Sequence, residues 1–144
     1  MIILLEFRIC VIDGQGGGIG STLIKYLKAE LGEQAELIAL GTNAIATAQM
    51  LKAGANKGAT GENAICRTIA QGDCIVGPIA IIWANAMLGE LTPKMAEAIM
   101  SCSALKLLLP ISQERAEIVG LVKTPLPHLV EAAVETIKEV MKHV

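Results

Sequence analysis

The chain has 144 residues, of which 53% are hydrophobic and 18% charged, and its net charge is −2. This composition excludes a disordered chain and favours one domain, residues 1–144, with a large buried core. Lysine and arginine form no basic stripe, and phenylalanine, tyrosine and tryptophan occur once each, which argues against nucleic-acid binding. Because few charged residues are available to cover the surface, we expect a homo-oligomer.

Cysteine usage and hydropathy bear on where the protein works. The four cysteines have no CxxC spacing and lie in apolar surroundings, as expected of buried free thiols and not of metal ligands. Residues 1–5 are apolar but lack the basic region of a signal peptide. Residues 74–89 form a charge-free run that is shorter than the roughly 18–20 residues of a membrane span. We therefore expect a soluble, cytoplasmic protein with no metal site.

Short apolar runs alternate with amphipathic segments along the chain, which predicts strands and helices in turn. In chain order the predictions are a strand over 9–13, a helix over 19–31, a strand over 36–40, a helix over 44–53, a loop over 55–63, a helix over 62–70, a strand over 73–76, a buried helix over 79–88, a helix from Thr92-Pro93, strands over 105–109 and 117–122, and a helix over 129–141. Gly32 suits the C-cap of the first helix, and Thr42 or Asn43 the N-cap of the second.

This alternation predicts an α/β fold of the three-layer, Rossmann-like kind, with a mainly parallel sheet of about five strands and helices on both faces. Only about six residues separate the predicted strands 105–109 and 117–122. A parallel crossover needs at least about ten to twelve residues, so the last strand is predicted to run antiparallel at an edge of the sheet.

Residues 13–20 read Asp-Gly-Gln-Gly-Gly-Gly-Ile-Gly and carry the clearest functional signal. The segment is predicted to form the end of a strand, a tight turn with few side chains and the start of a helix. At such a helix start, unpaired backbone N–H groups lie at the positive end of the helix dipole. Such a turn can hold a phosphate, although glycines also serve close packing alone. We predict that a phosphate-bearing small molecule, NAD(P) or another nucleotide, binds at residues 14–20.

The spacing G-x-x-x-G-x-G at Gly14, Gly18 and Gly20 resembles the dinucleotide loop of short-chain dehydrogenases over about ten residues. The Tyr-x-x-x-Lys pair of that family is missing, because Tyr26 is followed four positions later by Glu30. The second strand also ends without an acidic residue for a ribose. A P-loop is excluded, since a lysine should follow the last glycine and a serine stands there.

Ligands of parallel sheets bind at the carboxyl ends of the strands. The residues that we predict to bind the ligand lie at those ends: Asp13, Gly14, Gln15, Gly16, Gly17, Gly18, Ile19, Gly20, Thr42, Asn43, Thr60, Asn63, Gly77 and Pro78. Catalytic residues stay unknown, with Asp13, Glu62 and Glu90 as candidate carboxylates. Asp13 could instead accept hydrogen bonds from the loop, and Glu90 and Thr92 could be helix caps.

Residues 13–20, 39–43, 59–64 and 85–93 together resemble a family of short bacterial proteins that is defined only as a domain of unknown function. The resemblance covers nearly the whole chain and implies a complete, stand-alone protein, but it implies no activity.

Two functions therefore stay open. The first is a small cytoplasmic domain that binds a phosphorylated metabolite at residues 14–20. The second is an interaction module that homo-oligomerises through the apolar helix 79–88, with Trp83 at the interface and the glycines serving only packing. In that helix the amide of Asn85 would need a hydrogen-bond partner.

Overall fold

The computed structural model describes residues 7–143. Within them, five strands form one sheet and five α-helices cover it. In chain order the elements are β1 (Phe7–Asp13), α1 (Gly18–Leu31), β2 (Ala35–Gly41), α2 (Ala44–Lys52), β3 (Lys57–Thr60), α3 (Glu62–Thr68), β4 (Cys74–Pro78), α4 (Pro93–Ser101), β5 (Leu105–Leu109) and α5 (Leu126–Met141). The expectation that residues 1–5 are not a signal peptide concerns a segment outside the described residues.

The strand order in the sheet is β3-β2-β1-β4-β5, and every neighbouring pair is parallel. From β1 the chain builds outward to β3 and then crosses to β4 on the other side of β1. The order of the strands therefore reverses between β1 and β4. Asp13 pairs with Gly41, which pairs with Thr60, so β1, β2 and β3 end level with one another. The predicted α/β class with a parallel five-stranded sheet is confirmed.

Side chains of the central strands alternate between two layers of core. In β1, Ile9 and Val11 pack with residues of α1, α2 and α5, whereas Cys10 and Ile12 pack with residues of α3 and α4 on the opposite face. Burial on both faces explains the uninterrupted apolar runs of residues 9–12 in β1 and 37–40 in β2.

The predicted antiparallel edge strand is wrong. Residues 117–122 form no strand, and the sheet ends at β5, which runs parallel to β4. The short connection after β5 excludes a parallel pairing of residues 117–122, as expected. These residues nevertheless form no antiparallel pairing either, because they lie outside the sheet. Residues 110–125 contain neither helix nor strand, and within them Val119 and Val122 are 98% and 80% exposed.

The predicted loop 55–63 contains the short edge strand β3, which pairs with β2. Lys57 and Gly58 are exposed, so this strand lacks the apolar pattern by which the other strands were predicted. Asn56 secures its start, because the side-chain oxygen of Asn56 accepts the N–H of Leu37 at 2.8 Å.

The predicted helix 79–88 is also wrong. A single 3-10 turn covers Ile79–Ile82, and successive turns follow it. Asn85, Met87 and Leu88 have φ values of 66°, 59° and 56°, which no right-handed helix accommodates. Asn85 is exposed, so its amide needs no buried partner.

All four cysteines are free; Cys10 and Cys74 are buried, and Cys66 and Cys102 are half-buried. Burial raises the pKa of the Cys10 and Cys74 thiols to about 12. Over residues 7–143, each helix is too short or too polar to cross a bilayer.

Candidate functional site

The end of β1 is tied to the start of α1 by Asp13. This buried carboxylate accepts the N–H of Gly14 at 2.8 Å and that of Gly20 at 2.6 Å. Burial raises the pKa of Asp13, and the hydrogen bonds from Gly20 and Gly14 oppose that rise. Asp13 thus accepts hydrogen bonds from the loop, as in the alternative to a catalytic role. These bonds fix the conformation of the turn between β1 and α1.

The five glycines of the loop fall into two groups. A Cβ at Gly14 would overlap the Thr42 hydroxyl and the Met87 sulfur. Gly17 has a φ of 74°, and a Cβ at Gly20 would come within 2.8 Å of the Asp13 Cβ. Close packing and backbone conformation therefore account for these three glycines.

Gly16 and Gly18 are different. A Cβ built at either residue would point into open space, with no atom of a more distant residue within 4 Å, and neither residue has a positive φ. The N–H of Gly17 donates to the Gly14 carbonyl at 2.9 Å, but the N–H groups of Gly16 and Gly18 donate no hydrogen bond within the described part of the chain. The N–H of Gly18, the first residue of the 14-residue helix α1, and the N–H of Gly16, two residues before it, thus remain available to solvent or a ligand.

A carboxylate lies beside this loop. Glu90 Oε1 accepts three hydrogen bonds: from the Gln15 N–H at 2.8 Å, the Thr42 hydroxyl at 2.6 Å and the Asn43 amide nitrogen at 2.8 Å. Partial burial raises the pKa of Glu90, but the hydrogen bonds from Thr42, Gln15 and Asn43 outweigh it, so that this pKa lies below its ordinary value. The other oxygen, Oε2, accepts no hydrogen bond from residues 7–143.

Asn43 holds the second strand's end to the loop. Its side-chain oxygen accepts the Ala46 N–H at 2.8 Å, so the predicted N-cap of α2 is confirmed. Its amide nitrogen donates to the Gln15 carbonyl at 2.9 Å as well as to Glu90. Gln15, Thr42, Asn43 and Glu90 thus form one hydrogen-bonded group at the ends of β1 and β2.

The remaining carboxylate candidate, Glu62, is engaged elsewhere. Its Oε2 accepts the Thr92 hydroxyl at 2.5 Å, and Thr92 caps α4 by accepting the Met95 N–H at 3.2 Å. Thr92 is therefore the predicted helix cap, whereas Glu90 is not. The Thr60 hydroxyl donates to the Thr47 hydroxyl at 2.8 Å, and Asn63 is exposed.

Gly77 and Pro78, at the end of β4, are both buried. A Cβ at Gly77 would overlap the Ile12 carbonyl oxygen, so this glycine lets β4 approach β1 closely. Ile19 is half-buried and packs against the core beneath α1. Among residues 7–143, no group of three or more histidines, cysteines or acidic residues is placed to hold a metal ion.

In the comparison with protein families, the pattern of a domain of unknown function, DUF3842, fits residues 8–142. The chain belongs to the DUF3842 family. The predicted membership of a domain-of-unknown-function family is thus confirmed, and the glycine loop, the end of β2 and Glu90 all lie inside the DUF3842 domain. The comparison with curated proteins found no match.

Proposed function

We propose that this DUF3842 domain is a cytoplasmic nucleotide-binding domain. A 5′-phosphate would sit on the N–H groups of Gly16 and Gly18, and the ribose hydroxyls would donate to Glu90 Oε2. The observation that carries the proposal is the second group of glycines. Neither packing nor φ requires a glycine at positions 16 and 18, whereas the close approach of a ligand to the backbone does.

The location favours a phosphate. The free N–H of Gly18 is the first of α1, where the helix dipole attracts an anion, and that of Gly16 lies in the turn just before it. This start follows β1, beside the point where the strand order reverses. In open parallel sheets ligands bind at such a point, and the order β3-β2-β1-β4-β5 is the one found in Rossmann folds.

The carboxylate favours a ribose. Rossmann folds that bind NAD present an acidic residue near the end of the second strand, where it accepts a ribose hydroxyl. Here Thr42 and Asn43 follow that strand, and Glu90 reaches the same place from the segment after β4. Its ionised state and its free Oε2 suit a hydroxyl donor, whereas a 2′-phosphate would meet a like charge.

The proposal is one of binding, with no reaction assigned. Asp13 and Glu62 each accept hydrogen bonds from within the fold, so neither of these carboxylates is assigned a proton-transfer role. The buried free thiols fit a reducing compartment such as the cytoplasm.

Thermal unfolding of the whole chain with a panel of nucleotides tests the proposal. At about 100 times its dissociation constant a ligand adds roughly 2.7 kcal/mol, which raises the midpoint by several degrees. We expect a rise with AMP, ATP or NAD and none with adenosine, which lacks the phosphate. If no 5′-nucleotide raises the midpoint, the proposal is wrong.

A homo-oligomeric interaction module is the second candidate function. The helix that suggested it is absent, but Leu88, on the same segment, is 98% exposed. We infer that a second copy of the chain covers this leucine, because the residues of the described chain leave it in solvent. Light scattering of the wild type and of Leu88→Glu tests this: an oligomer that the charge dissociates supports it, and a monomeric wild type removes it.

A further inference from the structure

A separate cavity of about 600 Å³ lies at the carboxyl ends of β4 and β5. Ile79, the residue after β4, and Pro110, the residue after β5, both line it, as does Leu129 of α5. Its volume falls within the range of small-molecule sites, roughly 300–1,000 Å³. None of residues 13–20 lines it, so it is distinct from the nucleotide site proposed above.

Most of the cavity wall is apolar. Trp83 lines it together with Ile118, Leu121 and Val122 of the irregular segment 110–125. These three aliphatic side chains are between 44% and 80% exposed, which leaves apolar surface in water. A long segment without helix or strand inside a compact domain is typical of a binding loop. An apolar ligand would cover this surface, and burial of apolar area favours binding.

One carboxylate is fixed in this wall. Glu114 Oε1 accepts the Met87 N–H at 3.2 Å, and the Glu114 N–H donates to the Ser112 hydroxyl at 2.9 Å. Glu114 Oε2 accepts no hydrogen bond within residues 7–143. Glu117 adds a second carboxylate to the lining, and Lys123 is the one cationic side chain there, so the lining carries a net negative charge. A half-buried carboxylate with one free oxygen selects an N–H donor, preferably a charged one.

We propose that this cavity binds a second small molecule, an apolar ring that carries an ammonium group. The ring packs against Trp83 and the aliphatic side chains of segment 110–125, and the ammonium donates to Glu114 Oε2. Indole faces also attract cations, so Trp83 adds to the preference for a positively charged ligand. This binding function goes beyond the nucleotide site and does not depend on it.

Trp83, which lines the cavity, is the only tryptophan of the chain, so the intrinsic fluorescence can be used to measure binding there. Fluorescence of Trp83, excited at a wavelength where simple benzene rings do not absorb, is titrated with 2-phenylethylamine and with 3-phenylpropionate. The two probes share an apolar ring and differ in the sign of their charge. We expect a saturable change with the amine and an affinity for the carboxylate that is lower by about tenfold, the scale of one charge-assisted contact.

Three variants make the result specific. Glu114→Gln keeps the size of the side chain, and it should bring the two affinities to within about threefold of each other. Ala116→Phe places a ring in the cavity and should abolish the response to both probes. Val119→Ser alters an exposed side chain that does not line the cavity, so both titrations should match those of the wild type.

Three outcomes would overturn the proposal. The first is no saturable response to the amine, and the second is equal affinity for the two probes in the wild type. The third is light scattering that shows a dimer dissociated by Val122→Glu, because a second copy of the chain would then cover the cavity. Each can occur whether or not nucleotides raise the unfolding midpoint, so the two proposals fail separately.

Discussion

Thr42 and Glu90 are 48 positions apart in the chain, yet the Thr42 hydroxyl donates a hydrogen bond of 2.6 Å to Glu90 Oε1. Thr42 follows β2, and Glu90 lies in the turns after β4, so this bond crosses the point where the strand order reverses. It supplies the end of β2 with a carboxylate that the neighbouring sequence lacks.

Glu90→Gln should change which nucleotide binds. In the wild type we expect NAD to bind about tenfold more tightly than NADP, because the 2′-phosphate of NADP meets the Glu90 carboxylate. The neutral amide should reduce this ratio to about two. Isothermal titration of both dinucleotides measures it. Glu62→Gln, at a carboxylate bonded to Thr92, is the matched control and should leave the ratio unchanged. An unaltered ratio in Glu90→Gln would contradict the role of this side chain.

Gly18→Val should abolish nucleotide binding without unfolding the domain. A side chain at Gly18 meets open space, so the free energy of unfolding should change by less than about 0.5 kcal/mol. The valine would cover the N–H groups proposed to hold the phosphate. Urea denaturation and the nucleotide-dependent midpoint check the two halves of this prediction, and unchanged affinity would show that the phosphate sits elsewhere.

Gly14→Ala is the contrasting substitution. Its Cβ would overlap Thr42 and Met87, so we expect a loss of about 1–3 kcal/mol in the free energy of unfolding. Urea denaturation without nucleotide measures this loss. Equal stability of Gly14→Ala and Gly18→Val would remove the distinction between packing and binding glycines.

The stability of the domain should depend on pH through Glu90. Its pKa is lowered in the folded state, so in the range between that pKa and the ordinary value the unfolded state binds more protons. The stabilisation by Glu90 is therefore full above its ordinary pKa and is lost as the pH falls through the folded value. Asp13, whose pKa is raised, has the opposite dependence. Unfolding midpoints of wild type and Glu90→Gln between pH 3 and 7 isolate the Glu90 contribution, and their difference should shrink toward pH 3.

Leu88→Gly should stabilise the domain. Leu88 has a φ of 56° and is 98% exposed, so glycine relieves a strained backbone and gives up no packing. We expect a gain of about 0.5–1 kcal/mol in the free energy of unfolding, after the greater freedom of glycine in the unfolded chain. Val119→Gly, at a position equally exposed but without a positive φ, should bring no gain. Chemical denaturation of both variants decides the matter.

The thiols of Cys10 and Cys74 should resist labelling in the folded protein. Burial raises the pKa of both to about 12, so the reactive thiolate is scarce at pH 8. A thiol reagent with mass-spectrometric mapping should leave both unmodified in buffer and label them in denaturant. Rapid labelling of either thiol in the folded state would show that the core around β1 and β4 opens readily.

Sequence patterns predicted correctly those helices and strands that neighbouring residues alone specify. The apolar run of β1, the glycines before α1 and the Thr92-Pro93 start of α4 each determine their own conformation. β3 was missed because an exposed edge strand of four residues needs no apolar pattern. The apolar segment 117–122 was assigned to the sheet, since its residue types favour a strand even though no partner is present.

The hydrogen-bonded group at the ends of β1 and β2 could be predicted only in part, for a similar reason. Asp13, the glycines and Asn43 lie next to one another along the sequence or at strand ends, so their proximity follows from a parallel sheet. Glu90 was a candidate carboxylate, but its place beside Gln15, 75 positions away, depends on the left-handed turns after β4. Non-glycine residues adopt that conformation only under tertiary constraint, which the sequence does not display.

The turn at residues 84–91 contacts both proposed sites: Glu90 accepts from Gln15 on one side, and the Met87 N–H donates to Glu114 on the other. Coupling free energies between two sites are reciprocal. A nucleotide that shifts this turn and raises the affinity of the cavity for 2-phenylethylamine must therefore have its own affinity raised by the same factor when the amine is bound. If a nucleotide shifts the turn in this way, each ligand strengthens the binding of the other through the hydrogen bonds to Gln15 and Glu114.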